Sequence, residues 1–489
     1  MKDFQHNMPA YKQLYFATNR ELTLLLSFFI VMIFLPGISE RFAIYFGSIS
    51  LFGILTFGAH AQLRKSSLNV WNPLVWFRAS TAVFFGIGNL IPYLGNAQTH
   101  KFITGLYDFT DAQIVTVIQM TALCAMITLF IARFFFVCIP SDEPASFSPN
   151  LDRKMLRLAI LFLIVGGAMR YGVVLPSVYG SSDLQIPGWM RAASGAHSGG
   201  MFLLTLWTLR QRPGLIFVPL MLVAIDIILG ALAFDKSEVA FSLLFVLLAF
   251  LHHRFNMRRA LIGASLIFGI IYLGQSPAHY GRHFVNTYSD AEVSLADRFE
   301  IISRFLTEGD TVTRYVEGGL NPLLRISYAA PAAFVVNEYN MGSPGNAHRY
   351  AFAALVPRIL WSGKPSVGSA GSEVYYLIRG RAGASLGVGH FAEAYWSFGW
   401  AGAFIIFIPG GLMLSLISVI SLKAVAKGRW MMFPVVVYGL NVGYKVSGAW
   451  VPGMVGGFVT FLVLAAIFWT ASRAKLTSRR SHGPIDPYA

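Results

Sequence analysis

The sequence predicts an all-α, polytopic membrane protein with about twelve spans and one large outward loop that carries short interfacial helices. Three observations predict it. Of 489 residues, 55% are hydrophobic and only 12% charged, with a mean hydropathy of +0.58, which leaves too little charge to cover a soluble globule. The apolar residues fall in long runs rather than in amphipathic stripes. Short basic clusters separate alternate runs, as retention of positive loops on the cytoplasmic side requires. The net charge of +15 therefore does not point to nucleic acid, because the basic residues never gather on one face.

Taken in order, the apolar runs that can cross about 30 Å of hydrocarbon lie near 21–37, 41–60, 73–94, 112–138, 156–176, 195–210, 213–234, 237–252, 259–274, 399–422, 431–449 and 453–472. The first follows a polar segment with Lys2, Lys12 and Arg20 and precedes no small-residue cleavage site, so it reads as a retained span. Arg64 and Lys65, Arg153 to Arg157, Arg210 and Arg212, Arg254 to Arg259, Lys423 to Arg429, and Arg473 to Arg480 mark alternate connections. That pattern puts both termini in the cytoplasm and the longest connection, 275–398, outside. Cys124 and Cys138 fall in one expected span and are expected not to pair. The chain reads as a single transmembrane domain, 1–489, without an internal repeat.

A connection of roughly 120 residues is usually functional. Ser294 followed by Asp297 forms a capping start, and Leu295, Phe299, Ile302 and Leu306 recur at helical spacing, with Arg298 and Glu300 on other faces. This predicts a helix lying on the membrane surface. Asn321 to Val336 is apolar but interrupted by Arg325 and Pro331, which suits a second interfacial or re-entrant helix. Beyond it come Val356-Pro-Arg-Ile-Leu-Trp-Ser-Gly-Lys-Pro365, a glycine-rich run, and His390-Phe-Ala-Glu393 at the expected mouth of the tenth span.

Pro357-Arg358, Trp361, Lys364-Pro365, Gly389, Glu393, Phe398-Gly399 and Gly402, late in a many-spanning chain with a large outward loop, resemble the Wzy-type polymerases of surface polysaccharides such as O-antigen. The likeness covers the topology and about fifty residues from Arg349 to Gly402 at motif level. It implies a GT-C-like helical fold in a bacterial inner membrane and transfer at the periplasmic face. The implied partners are an undecaprenyl-diphosphate-linked oligosaccharide donor, an acceptor of the same kind and the membrane lipid, with a chain-length regulator left open. No metal or cofactor is expected, and the sequence has no Asp-x-Asp pair in its outward loops and no His/Cys cluster with ligand spacing. An O-antigen ligase, or a transporter of lipid-linked oligosaccharides acting without chemistry, remains an alternative. Asp226 within an apolar span suits the transporter.

Without a metal, a leaving diphosphate must be stabilised by fixed cations, and arginine binds phosphate oxygens bidentately. Arg358 and Lys364 flank Trp361, a candidate for stacking on a sugar face, and Arg282, Arg325, Arg349, Arg379 and Arg381 are further candidates in the same loop. Arg170 and Lys445 stand inside apolar spans near their outer ends, where a lipid diphosphate would lie. Each has a structural alternative: snorkelling, or pairing with Asp226 or Asp183. His390 and Glu393 are one helical turn apart and are the candidates to orient or deprotonate the acceptor hydroxyl. Their structural alternative is capping and packing at a helix start.

Overall fold

The computed structural model describes residues 11–94, 103, 106–140, 149–178, 188–234, 236–253, 256–274, 277–278, 280–281, 284, 293–307, 326–356, 361, 370–380 and 385–477. Of the described residues, 86% are helical. Its first half contains β1 (Tyr11–Tyr15), α1 (Asn19–Phe34), α2 (Glu40–Lys65), α3 (Pro73–Leu94), α4 (Asp111–Ala132) and β2 (Phe136–Pro140). There follow α5 (Pro149–Met169), α6 (Gly188–Gln211), α7 (Phe217–Leu232), α8 (Lys236–His253), α9 (Met257–Leu273) and α10 (Leu295–Thr307). The last part holds α11 (Ala329–Asn340), α12 (Ala351–Leu355), α13 (Ala370–Arg379), α14 (His390–Phe398), α15 (Gly402–Ala426), α16 (Phe433–Tyr444) and α17 (Gly456–Thr477).

Each of the expected spans falls on a helix. Eight helical segments among the described residues are long and apolar enough to cross a membrane, so the protein is a multi-pass, nearly all-helical membrane protein. They comprise α1 to α5, α7, the 37-residue stretch His390–Ala426 and Val451–Ala471. The other four expected spans are α6 (24 residues, rich in small and polar side chains), α8 (apolar from Ser242 to His253), α9 (17 residues) and α16 (12 residues).

The helix starts follow local chemistry. Thr18 accepts the Glu21 N–H at 3.2 Å, Ser39 accepts Phe42 N–H at 3.3 Å, and Asn72 accepts Leu74 N–H at 3.1 Å ahead of Pro73. Each cap satisfies one of the donors that a helix leaves without a partner at its start. Where the chain was expected to continue the fourth span to 138, α4 stops at Ala132 and Cys138 lies on β2. Strand β2 pairs antiparallel with β1, from Tyr11 opposite Pro140 to Tyr15 opposite Phe136. The ribbon ties the start of α1 to the end of α4, which agrees with an even number of crossings between them. Both cysteines are free.

The chain clusters into two compact units: residues 1–143, 323–427 and 439–474, and residues 144–322, 428–438 and 475–489. The 275–398 connection is divided between them. In the first unit, α1, α2 and α3 meet at a buried ion pair that composition alone did not reveal. Arg78 Nε and a terminal nitrogen donate to Glu21 at 2.6 and 3.0 Å, and the guanidinium also reaches the Leu74 and Phe16 carbonyls at 3.1 and 2.7 Å. Gly58 on α2 makes room for the pair, since a Cβ there would overlap the Glu21 carboxylate.

Of the expected interfacial or re-entrant stretch Asn321 to Val336, residues 321–325 lie outside the described residues and the rest bears on helix α11. It starts at Ala329, and Ala329 to Val336 are buried against α4 and α14 rather than lying at the interface. Pro331 is tolerated because its missing N–H falls within the first turn, where donors lack helical partners anyway.

In the second unit, α10 begins as expected. Asp297 accepts from Ser294 N–H at 2.9 Å and from its hydroxyl at 2.7 Å, and Ser294 Oγ accepts Asp297 N–H at 3.3 Å. Arg298, expected on a face other than the apolar one, is buried. It donates to the carbonyl of Leu232, the last residue of α7, at 3.3 Å and lies 5.4 Å from the Phe234 ring centroid. Ile302 packs on Leu175, Leu232 and Ala233, while Leu295, Phe299 and Leu306 are 50%, 65% and 75% exposed. An apolar stripe left outside the protein, on a helix pinned to the end of a membrane-spanning one, is the arrangement of a helix lying in the interface.

Two outcomes follow. Arg78→Ala leaves Glu21 buried without its cation and lowers stability by about 3–5 kcal/mol, whereas Arg41→Ala, whose pair with Asp111 is formed by a 74% exposed side chain, costs at most about 1 kcal/mol. Thermal unfolding in one detergent compares them. The Ser294 contacts also hold the Asp297 carboxyl below its ordinary value. Its contribution is therefore complete above the unfolded value of about 3.9 and fades as pH falls through the folded one. Amide exchange in the first turn of α10 should accelerate only below about pH 4, and the Asp297→Asn variant should lose that dependence.

Candidate functional site

In the first unit, the motif-bearing end of the long connection is folded into the helical body. Gly389 (φ +80°) and Gly399 (φ +58°) bracket α14, each in a conformation that side chains disfavour. A Cβ at Gly399 would also lie 2.7 Å from the Tyr339 hydroxyl. Helix α14 therefore leads into α15 through a sharp break. Its residues His390 to Ser397 are buried, so the expected mouth of the tenth span is an enclosed helix. Phe391 anchors it, edge-on to Phe85 at 4.9 Å and stacked on Phe407 at 5.3 Å.

His390 and Glu393 are one turn apart and face the same neighbour, the non-helical turn that joins α16 to the last span. His390 N–H donates to the Val446 carbonyl at 3.0 Å, and Glu393 Oε2 accepts the Trp450 N–H at 2.6 Å. Trp450 precedes the π turn Val451–Val455 at the start of that last span. The carboxylate thus caps a helix of another segment, where the helix dipole favours it. The His390 ring lies against the backbone of Ala449 and Gly453, and neither ring nitrogen makes a well-aligned hydrogen bond among the described residues. The same turn receives Gly387, where a Cβ would lie 2.6 Å from the Ser447 carbonyl. Leu386 N–H in turn donates to Gly371 at the start of α13, at 2.9 Å.

A second tie comes from α11. Trp396 Nε1 donates to the Ser343 carbonyl at 2.9 Å, Gly345 N–H donates to the Trp396 carbonyl at 3.0 Å, and Tyr395 donates to Asn340 at 3.1 Å. The 3-10 turn Ala347–Tyr350 and α12 that follow pack on Val451–Val455. Arg349 on that turn, Arg379 at the end of α13 and Lys445 in the α16 connection are all exposed. The structure therefore brings Arg349, Arg379, Lys445, His390 and Glu393 onto neighbouring pieces of one unit, with the cations outside and the His/Glu pair inside. Trp361 is exposed. The expectations for Arg282, Arg325, Arg358, Lys364 and Arg381 lie outside the described residues.

Arg170 belongs to the second unit, where it is buried on the π turn Arg170–Val174 and paired with Asp226 on α7, Nε to Oδ1 3.5 Å. Its structural alternative is thus realised. Asp226 also accepts from the Tyr171 hydroxyl and, at 2.7 Å, from Ser242 on α8, and His197 Nε2 on α6 is 3.2 Å from Oδ2. Helices α5 and α6 approach closely here because Gly166 and Gly200 lack side chains; a Cβ at Gly166 would overlap the His197 backbone. Nothing in the spacing of the sequence linked His197, Tyr171 and Ser242 to Asp226. The only signal was the run of small and polar residues around His197.

No group of three or more metal-binding side chains occurs among the described residues. No family model, curated protein or solved structure matches the chain.

Replacement of Glu393 separates capping from proton transfer. Glu393→Ala leaves the buried Trp450 N–H unsatisfied and should lower stability by about 1–3 kcal/mol. Glu393→Gln keeps an acceptor oxygen for that N–H and should unfold close to the wild-type temperature. Loss of activity in this second variant alone assigns the carboxylate a chemical role.

Proposed function

We propose that the protein is a membrane glycosyltransferase that joins lipid-diphosphate-linked oligosaccharide units at the outer face of a bacterial inner membrane, as the resemblance to Wzy-type polymerases implies. The observation that carries the reading is the first unit's arrangement. Gly387, His390 and Glu393 pack onto the turn between α16 and α17, and exposed Arg349, Arg379 and Lys445 stand on segments of the same unit as the buried His390–Glu393 pair. Such cations suit a diphosphate leaving group, held while its polyprenyl tail stays among the helices. Arg358 and Lys364 belong to the connection between α12 and α13, both parts of the same unit. On this reading α6, α8, α9 and α16 complete twelve crossings, both termini are cytoplasmic, and 275–398 faces the periplasm.

Four polar residues support α6 and α8 as spans. Arg170 and Asp226 lie near the C-terminal ends of their segments, His197 and Ser242 near the N-terminal ends of theirs, and all four meet at one level. Helices running alternately up and down produce such a level.

A carrier acting without chemistry is the second reading, favoured by the buried carboxylate of Asp226 within a span. One assay separates the two. Purified protein is given a short polyprenyl diphosphate bearing a repeat unit, in EDTA, and the products are resolved by size. The transferase yields a ladder of repeat multiples, and Arg379→Ala, Arg349→Ala or Lys445→Ala, if it removes a donor to the leaving group, slows it by about 10²-fold. Lipid moved across a vesicle bilayer with its sugar unextended would replace this reading with the carrier.

A further inference from the structure

We propose that the exposed row Arg349, Phe352 and Leu355 in the first unit docks on the phospholipid surface of the leaflet in which the last span begins. The two apolar side chains enter the acyl boundary and the guanidinium meets lipid phosphate. Spacing makes the row. In the 3-10 turn Ala347–Tyr350 and in α12, which continues it, residues three apart are neighbours on one face. Phe352 is 83% exposed, and Arg349 and Leu355 are exposed with it. The opposite side of α12, Ala353 and Ala354, is buried.

The depth of that row follows from what its helix packs on. Both the 3-10 turn and α12 contact Val451–Val455, the first turn of the span Val451–Ala471. The 21 residues of that span rise about 31 Å as helix, close to the hydrocarbon thickness of about 30 Å. Its first turn therefore stands at the edge of the hydrocarbon, and α12 stands beside it. A lone exposed apolar side chain needs no explanation. Two in one row with an arginine, on a helix too short to cross and held at the end of a span, have the chemistry of an interfacial contact.

Helix α13 repeats the pattern. Its start is tied to the turn before the same span, by the Leu386 N–H bond to Gly371 at 2.9 Å and by the close fit of Gly387 on the Ser447 carbonyl. Ser372, Tyr376 and Arg379 line its exposed face and Leu377 is exposed beside them, while Ala370, Gly371 and Val374 are buried. Phosphate complements Arg349 and Arg379, and no carboxylate stands in either row. A stable protein partner takes roughly 800 Å² from each side, far more than one face of a five-residue helix offers. Lipid needs no such area, because the spans already hold the chain in the bilayer. Helices α12 and α13 flank the connection that carries Arg358 and Lys364, so docking sets both of its ends at the level of lipid phosphate. This contact does not depend on the transferase reading.

The test measures the depth of a nitroxide. Phe352→Cys and Leu355→Cys are made singly in the full chain carrying Cys138→Ser, since the remaining cysteine, Cys124, is buried. Each variant is spin-labelled and placed in phospholipid nanodiscs. Both labels should collide more often with oxygen, which concentrates among acyl chains, than with a water-soluble nickel chelate. Adding Arg349→Glu, which sets a negative charge against the phosphates, should raise collisions with the chelate at position 352. Both labelled positions are exposed, so thermal unfolding should match the unlabelled protein. Labels that meet the chelate more often than oxygen lie in water and overturn the docking. Labels shielded from both reagents lie against protein, whether a second copy or another part of this chain, and overturn it as well. Chelate collisions unchanged by Arg349→Glu overturn the phosphate contact.

Discussion

Hydrocarbon offers no hydrogen bonds, and the structure is arranged around that constraint. A charge or a backbone donor placed among spans has to be answered from within the protein. Arg78 is met by both oxygens of Glu21 and by two carbonyls. Asp226 is met by a hydroxyl from each of two helices, an imidazole and a guanidinium. Glu393 is met by the free N–H at a helix start, and Arg298 by the free carbonyl at a helix end. In each case at least one partner comes from a segment distant in sequence. Polar groups therefore fix which helices are neighbours, a choice that dispersion among Leu, Ile and Phe side chains leaves open in a lipid solvent.

Backbone irregularities accompany these groups. The π turn Arg170–Val174 carries both Arg170 and Tyr171 of the Asp226 cluster, and the π turn Val451–Val455 follows the N–H that Glu393 caps. A third, Ala82–Gly86, includes Phe85, which packs on Phe391. Widening a helix by one residue re-aims the side chains that follow, at the cost of a regular hydrogen bond. Glycines supply the matching clearance, as Gly58 does for Glu21 and Gly387 does for the turn at Ser447.

The sequence made the eight long apolar helices legible because crossing a bilayer demands a run of apolar residues whatever its neighbours are. Caps were legible for a similar reason: Ser294 and Asp297 interact across three residues, and their geometry is local. What failed was long-range. Phe136 to Cys138 is as apolar as a helix end, and only its pairing with β1 makes it a strand. Asn321 to Val336 read as interfacial or re-entrant because Arg325 and Pro331 interrupt the apolar run, yet the small side chains of Ala329 to Val336 let that part bury against α4 and α14. Glu21, Arg78 and His197 passed unremarked, since a lone polar residue near a span end reads as snorkelling until its partner is known.

Partnering also changes how the arginines should be weighed. By sequence, Arg170 ranked with Arg358 as a cation awaiting a diphosphate, because an ionisable residue inside an apolar run suggests function. The structure commits its charge to Asp226, and Arg298 and Arg78 are likewise spent on protein acceptors. A diphosphate could recruit such a guanidinium only by leaving a buried carboxylate or carbonyl unanswered, which costs more than a surface contact returns. Arg349, Arg379 and Lys445 are exposed, in the unit that also holds α14. An exposed guanidinium such as that of Arg349 or Arg379 gives up mainly hydration when it meets a phosphate oxygen. On the proposed transferase reading, the buried arginines are already committed to protein acceptors, and contact with the diphosphate falls to exposed cations.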